Sequence, residues 1–411
     1  MKKEADRHAA RPVPRNRVPE CEILIASDWA PIRAFDPIIS KNPESVYGDV
    51  LPLLRSADLR IVNCECALTA ARKPVWKSGA TFKGEPHHVK GLTVVPFEVA
   101  CLANNHVFDY GLRGFRESLQ VLHRNGIRTT GAGLTGEQAC APLALSCKGN
   151  RISLINVSEG EDLTAARGGP GVCGWDPAAT LAAIRRRKKN GDFVLVIAHC
   201  GLEYIPYPPP YVISAFRAMV AAGADCVLGH HPHVPQGIEW YQGRPIAYSL
   251  GNFVFFQHTD LYYRKVGLCI RLRLAGNALA SLEVLPYSIT GTGLRRLGPA
   301  EEKSFHRKID LISKPLHARE GAAKAWEAYL AYYGMSGFTG EVLGIVERMK
   351  TEPQKAAAMF RNRITTLQHA ELWRDFLTRT MDDGRRRYSK EAFRVIREFF
   401  TKTTKHTKSG K

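Results

Sequence analysis

"PAATLAAIRRRKKNGDFVLVIAHC" (Pro177–Cys200) carries two periodicities in succession. From Pro177 the apolar residues recur at intervals of three and four. Basic residues then crowd the last turn, where they complement the helix dipole, and Gly191 closes the run. "FVLVIAH" (193–199) follows as a β-branched run of strand length that ends on an imidazole. The same alternation extends outward from this unit. Strand-like "EILIAS" (22–27), "LRIVNCE" (59–65), "FEVACLA" (97–103), "RISLINV" (151–157) and "DCVLGH" (225–230) are interspersed with helical "GFRESLQVLHRNG" (114–126) and "YVISAFRAMVAAG" (211–223). Strands alternating with helices predict an α/β core.

The pattern changes further on. "IEWYQGRPIAYSLGNFVFF" (238–256) and "VGLCIRLRLAGNALASLEVLPY" (266–287) each place a turn between two β-prone runs, the second at Gly276-Asn277, which predicts antiparallel hairpins. From Glu301 the pattern is helical. The expected organisation is a disordered basic segment over 1–20, a catalytic-size α/β domain over 21–290, a linker over 291–315 and a helical basic region over 316–411.

The 411 residues hold 58 Lys and Arg against 39 Asp and Glu, a formal charge of +19, which favours anionic partners. No basic helix interleaved with stacking aromatics occurs, so nucleic acid is not the expected partner. No apolar run of signal-peptide or membrane-spanning length is present. The ten cysteines form no CxxC pair, and Cys64, Cys66, Cys101, Cys200 and Cys226 fall in or beside apolar runs, as buried free thiols do. A reducing cytoplasm is the expected compartment.

In open α/β sheets, ligands bind outside the carboxyl ends of the strands. Asp28 follows the first strand; Asn63 and Glu65 end the second; Asn104, Asn105, His106 and Asp109 follow the third. His199 ends a later strand with Glu203 four residues on, and "GHHPH" brings His230, His231 and His233. Any one of these has a bland reading as a cap, turn or core residue. Together, carboxylate, amide and imidazole donors on five strand ends are what a pair of divalent ions needs, with Mn, Fe and Zn all compatible. Pro232 stiffens the turn between His231 and His233. Two stretches keep two readings each. Asn252 in "SLGNF" either touches substrate or belongs to a tight turn. "EYIPYPPPY" (203–211) either walls a cleft or rigidly connects to the next helix.

"ANNHVFDYG" (103–111), "AHCGLEYIPYPPP" (198–210), "AAGADCVLGHHPHVPQGIEWY" (221–241) and "IAYSLGNFVF" (246–255) together resemble the CapA-type family of poly-γ-glutamate and capsule-synthesis proteins, within the calcineurin-like metallophosphoesterase superfamily. The resemblance covers about residues 22–290 and includes "GLRGFRESLQVLHRNGIRTTGAG" (111–133) and "FKGEPHHVKGL" (82–92). It implies a four-layer α/β sandwich, two packed sheets flanked by helices. It implies metal ligands at Asp28, Glu65, Asn105, His199, His231 and His233, with His106 protonating a leaving oxygen. Two positions depart from the superfamily: Ala30 stands where its first-strand His would, and "NCE" replaces its bridging Asp motif.

The resulting expectation is a metal-dependent hydrolase or transferase acting on an anionic phosphoester or γ-glutamyl substrate, linked to capsule polymer synthesis and its membrane partners. Glu203 would support an imidazole or polarise a water, and Asn63, Asn104 and Asn252 would contact substrate. The alternative is a scaffold that binds acidic polymer without turnover.

Overall fold

The computed structural model describes residues 20–159, 168–383 and 385–401. The N-terminal segment 1–20, expected to be disordered, lies outside these residues but for Glu20, and the end of the basic tail lies outside them as well. In the quoted helix–strand unit, Oδ1 of Asp176 caps the helix Pro177–Lys189 by accepting from the amide of Ala179 at 3.0 Å. Gly191 leaves the helix at φ 78°, which a side chain would resist, and the chain enters the strand Phe193–His199 at once.

The strands of the two large sheets are β1 (Cys21–Trp29), β2 (Leu59–Cys64), β3 (Val99–Cys101), β4 (Arg128–Thr130), β5 (Leu143–Cys147), β6 (Asn150–Ser158), β7 (Phe193–His199), β8 (Cys226–His230), β9 (Ile238–Tyr241), β10 (Arg244–Ala247), β11 (Val266–Ala275), β12 (Ala278–Thr290) and β13 (Gly293–Arg296). One sheet has seven strands in the order β13-β12-β11-β1-β2-β3-β4, and the other six in the order β9-β10-β8-β7-β6-β5. β1 to β4 run parallel, as do β6, β7, β8 and β10, so the carboxyl ends of the central strands of each sheet share one edge.

The period of two along each strand separates the layers. Ile23 and Ile25 of β1 and Leu195 and Ile197 of β7 point into one core, which therefore lies between the sheets. Leu24 and Ala26 point the other way, with Phe115 and Leu122 of the helix Gly111–Arg124. Val194, Val196 and Ala198 meet Val212, Phe216 and Val220 of the helix Pro210–Ala221. Helix, sheet, sheet and helix stack in the expected four layers.

Both predicted hairpins form. β9 and β10 join the edge of the six-stranded sheet, whereas β11 crosses to the other sheet and pairs antiparallel with β1. Gly276 and Asn277 both sit at φ 61°, the left-handed conformation that a two-residue hairpin turn demands. The expected linker over 291–315 is structured instead: it contains β13 and most of the helix Pro299–His317, whose Ser313 Oγ accepts from the amide of Ile238 at 2.9 Å. Four further helices follow among the described residues, Gly321–Thr351 with a kink at Gly334, Pro353–Thr365, Leu367–Met381 and Lys390–Phe399. Trp326, Leu330, Leu372 and Phe376 from these helices bury Leu202 and Ile205. The Pro-rich stretch is thus a rigid connection gripped from outside, with Pro210 opening the next helix.

The five cysteines read as buried thiols are free and buried. Four others are bonded: Cys21 to Cys147, which ties β1 to β5 of the facing sheet, and Cys140 to Cys173. Such bonds persist in oxidising surroundings. No helix among the described residues is long and apolar enough to cross a membrane.

Candidate metal centre

The donors foreseen at five strand ends converge at the shared carboxyl edge of the two sheets. Asp28 lies within β1, past a register shift between Ala26 and Asp28 that turns it toward the second sheet. Its Oδ1 accepts from Nδ2 of Asn63 at 2.8 Å and lies 3.1 Å from Nδ1 of His230, while its Oδ2 has no hydrogen bond among the described residues. Glu65, wholly buried just after β2, is the centre of the cluster. Its Oε1 lies 3.3 Å from Nε2 of His199, 3.6 Å from Nε2 of His233 and 3.9 Å from Nε2 of His106. Neither Glu65 oxygen has a hydrogen-bond partner among the described residues.

The turn after β8 delivers two of these imidazoles. Gly229 permits the close crossing beneath it, since a Cβ there would stand 2.0 Å from the carbonyl oxygen of Tyr248. His231 (φ 98°) and His233 (φ 56°) then take left-handed backbone angles that non-glycine residues resist, at a cost of about 1–3 kcal/mol each. Packing and hydrogen bonds hold them there. Nδ1 of His231 lies 3.1 Å from Nε2 of His199, and Nδ1 of His233 donates to Oδ1 of Asn252 at 2.9 Å. The ring of Tyr204 stacks on His233 with centroids 5.7 Å apart, and that of Phe255 packs against it, tilted, at 4.7 Å.

The ionisation of the cluster follows from burial set against mutual charge. Burial works against the carboxylate of Asp28, yet the imidazoles of His230 and His233, at 3.1 and 3.4 Å, outweigh it and hold this group well below the usual range. Burial and the Asp28 charge push Glu65 well above it. Burial opposes a charged His233, but the facing Glu65 and Asp28 raise it to about 10. A dry pocket with orphaned carboxylate oxygens is one that a cation completes. Glu65, His231 and His233 can each offer an atom within 4.8 Å of the others, so these residues fit a metal ion. Oδ1 of Asn105, 3.0 Å from Nε2 of His199, is within reach of the same space.

His106 sits beside this group with Nδ1 2.7 Å from Oδ2 of Asp109, which leaves Nε2 facing Glu65. Burial and the Lys77 ammonium lower its pKa to about 4, so the ring is neutral and accepts protons before it donates them. Lys77 is 4% exposed and donates to Oδ1 of Asp109 at 2.9 Å and to the carbonyl of Asn105 at 2.6 Å.

The other expected site residues have defined surroundings. Asn63 is buried between Asp28 and His199 and donates to both. Asn104 spends its amide on the carbonyl of Cys64 and on the amides of His106 and Val107, which staples the turn. Asn252 orients His233. Glu203 reaches solvent and bonds no imidazole among the described residues. His230 faces Asp28. Lys77 carried no signal, being one lysine in a polar loop, and neither did Gln368, whose Oε1 lies 3.0 Å from Nε2 of His231. His87 and His88 bond Ser40, and His123 bonds Thr129, away from the cluster.

A family model described as "Bacterial capsule synthesis protein PGA_cap" matches residues 22–257. The chain is 32% identical over 256 residues to the "PGA biosynthesis protein CapA" of Bacillus subtilis (strain 168), a match covering 61% of this chain and 66% of that protein. It is 30% identical over 253 residues to the "Capsule biosynthesis protein CapA" of Bacillus anthracis, covering 59% and 61%. It therefore spans slightly under two thirds of the length of these relatives. Among solved structures, a 5'-nucleotidase precursor from Thermus thermophilus is similar over 70% of this chain and 58% of that one, at 11% identity and a TM-score of 0.41.

Proposed function

This chain belongs to the bacterial capsule synthesis protein family PGA_cap, and from that premise we propose that it is a metal-dependent hydrolase or transferase acting on an anionic phosphoester or γ-glutamyl centre in capsule polymer synthesis. The observation that carries this reading is the buried Glu65 carboxylate, without a hydrogen bond among the described residues and faced by His199, His231 and His233. Structural packing alone gives no reason to keep such a group.

Glu65, His231 and His233 would hold a divalent cation, with Asp28, Asn105 and His199 completing the site for one ion or a pair. A Mn, Fe or Zn ion there supplies Lewis acidity and an activated water. The chain's own groups do the rest. Asp109 fixes the His106 tautomer, so Nε2 takes a proton at the reacting centre and passes it to a leaving oxygen. Lys77 keeps Asp109 ionised. The surplus of positive charge draws an anionic substrate toward the protein. The paired cysteines favour work in an oxidising compartment.

Metal analysis of the purified protein, beside Glu65→Ala and His231→Ala, tests the reading. Wild type is expected to retain metal and turn over a phosphodiester or a γ-glutamyl amide, and both variants to lose metal. Variants with full metal content would overturn it. The scaffold reading draws on Ala30, buried where a further imidazole was expected; it predicts that metal-free protein binds polyglutamate unchanged.

A further inference from the structure

We propose that Gln368, in the C-terminal helical region beyond the matched 22–257, is a positioning residue that sets His231 for metal ligation. The inference rests on the metal reading above and adds a residue to it from a part of the chain that the family match does not reach.

An imidazole ligates through a ring nitrogen that carries no proton, so the partner of the other nitrogen decides which one that is. Among the described residues, two side chains stand within hydrogen-bond distance of the ring nitrogens of His231. Its Nδ1 looks into the cluster, 3.1 Å from Nε2 of His199, and its Nε2 lies 3.0 Å from Oε1 of Gln368. A proton on Nε2 donated to that oxygen leaves Nδ1 with its lone pair directed inward. The same device operates on the neighbouring ligand, with the nitrogens exchanged. Nδ1 of His233 donates to Oδ1 of Asn252, which leaves Nε2 toward Glu65. The two imidazoles of "HPH" thus each have a carboxamide behind them, one from the α/β domain and one from the helical region.

Gln368 is held firmly enough to act in this way. It is 7% exposed, in the first turn of the helix Leu367–Met381. Its backbone amide donates to Oε1 of Glu159, whose Oε2 also accepts from the amide of Gly201 at 3.1 Å and the hydroxyl of Tyr211 at 2.5 Å. Farther along the same helix, Leu372 and Phe376 pack on Leu202 and Ile205. On the preceding helix, Lys355 donates to the carbonyls of Lys77 and Gly79 at 2.9 and 2.6 Å. The helical region is therefore anchored on both sides of the cluster, and Gln368 occupies a defined place between the anchors.

The test uses full-length wild type, Gln368→Leu, which keeps the shape and removes the acceptor, and Gln368→Glu, which keeps an acceptor oxygen. Zn²⁺ affinity is measured by competition with a chromophoric chelator, and the protonated nitrogen of His231 by ¹H–¹⁵N correlation on the metal-free wild type. The expected result is a loss of about 10–100-fold in affinity for Gln368→Leu, near-wild-type affinity for Gln368→Glu, and a His231 proton on Nε2. Equal affinity in wild type and Gln368→Leu, or a proton found on Nδ1, would overturn the inference and leave the metal reading intact. Wild type that binds no Zn²⁺, Mn²⁺ or Fe²⁺ would overturn the metal reading itself. Should Gln368→Leu fail to fold, the wild-type tautomer still decides.

Discussion

Nε2 of His233 faces Oε1 of Glu65 across 3.6 Å, and nothing among the described residues hydrogen-bonds either Glu65 oxygen. A cation that binds only the folded chain stabilises it by about 2.7 kcal/mol at a hundredfold excess over its dissociation constant. Melting curves of wild type are therefore expected to move upward with Mn²⁺ or Zn²⁺ and return with chelator. Glu65→Ala should show no such response. An equal response in both would remove Glu65 from the ligand set.

Asn252→Leu takes away the acceptor for Nδ1–H of His233 at 2.9 Å. The tautomer is then held only by Oδ2 of Asp28, 3.4 Å from the same nitrogen, and metal affinity should fall by about 10–100-fold without disappearing. Isothermal titration on wild type, Asn252→Leu and Asn252→Asp measures this. The aspartate variant retains an acceptor and is expected to stay close to wild type.

Lys77 and Asp109 form a buried pair at 2.9 Å. Lys77→Met leaves a buried carboxylate without its cation and should cost about 3–5 kcal/mol in urea denaturation. Adding Asp109→Asn removes the stranded charge and is expected to restore part of that loss. Additive losses would mean that the two side chains do not act as a pair.

Leu330 is fully buried among Leu202, Ile205, Trp326, Leu372 and Phe376. Leu330→Ala opens a cavity at the junction with the helical region and should cost about 2–5 kcal/mol. Amide exchange is expected to accelerate over 202–205 before it does so in β7. Uniform acceleration would show that the junction has no separate stability.

The Cys21–Cys147 bond closes a loop across the two sheets. Non-reducing peptide mapping should recover the 21–147 and 140–173 linkages from protein made in an oxidising compartment. Serine at both positions of the first pair should cost about 2–5 kcal/mol. Recovery of four free thiols instead would show that these pairs do not form.

Much of this architecture was legible because local signals suffice for it. Strand lengths, the Gly191 stop and the Gly276-Asn277 turn depend on residues a few positions apart. The placement of donors at strand ends followed from parallel α/β topology, and Asp28, Glu65, Asn105, His199, His231 and His233 do converge. The partners of Asn63, Asn104 and Asn252 within the protein were not legible. An amide at a strand end can face a substrate or a neighbouring side chain, and only the packed partner distinguishes the two.

The chain alone determined which donors exist and which strands carry them, since periodicity and turn chemistry are local. It was the tertiary structure that paired β11 with β1, bonded Cys21 to Cys147, buried Lys77 against Asp109 and brought Gln368 to His231 over 137 positions. Contacts of that range arise when two sheets and a helical layer close on one another. Their partners are chosen by shape and burial in three dimensions, which no local pattern encodes.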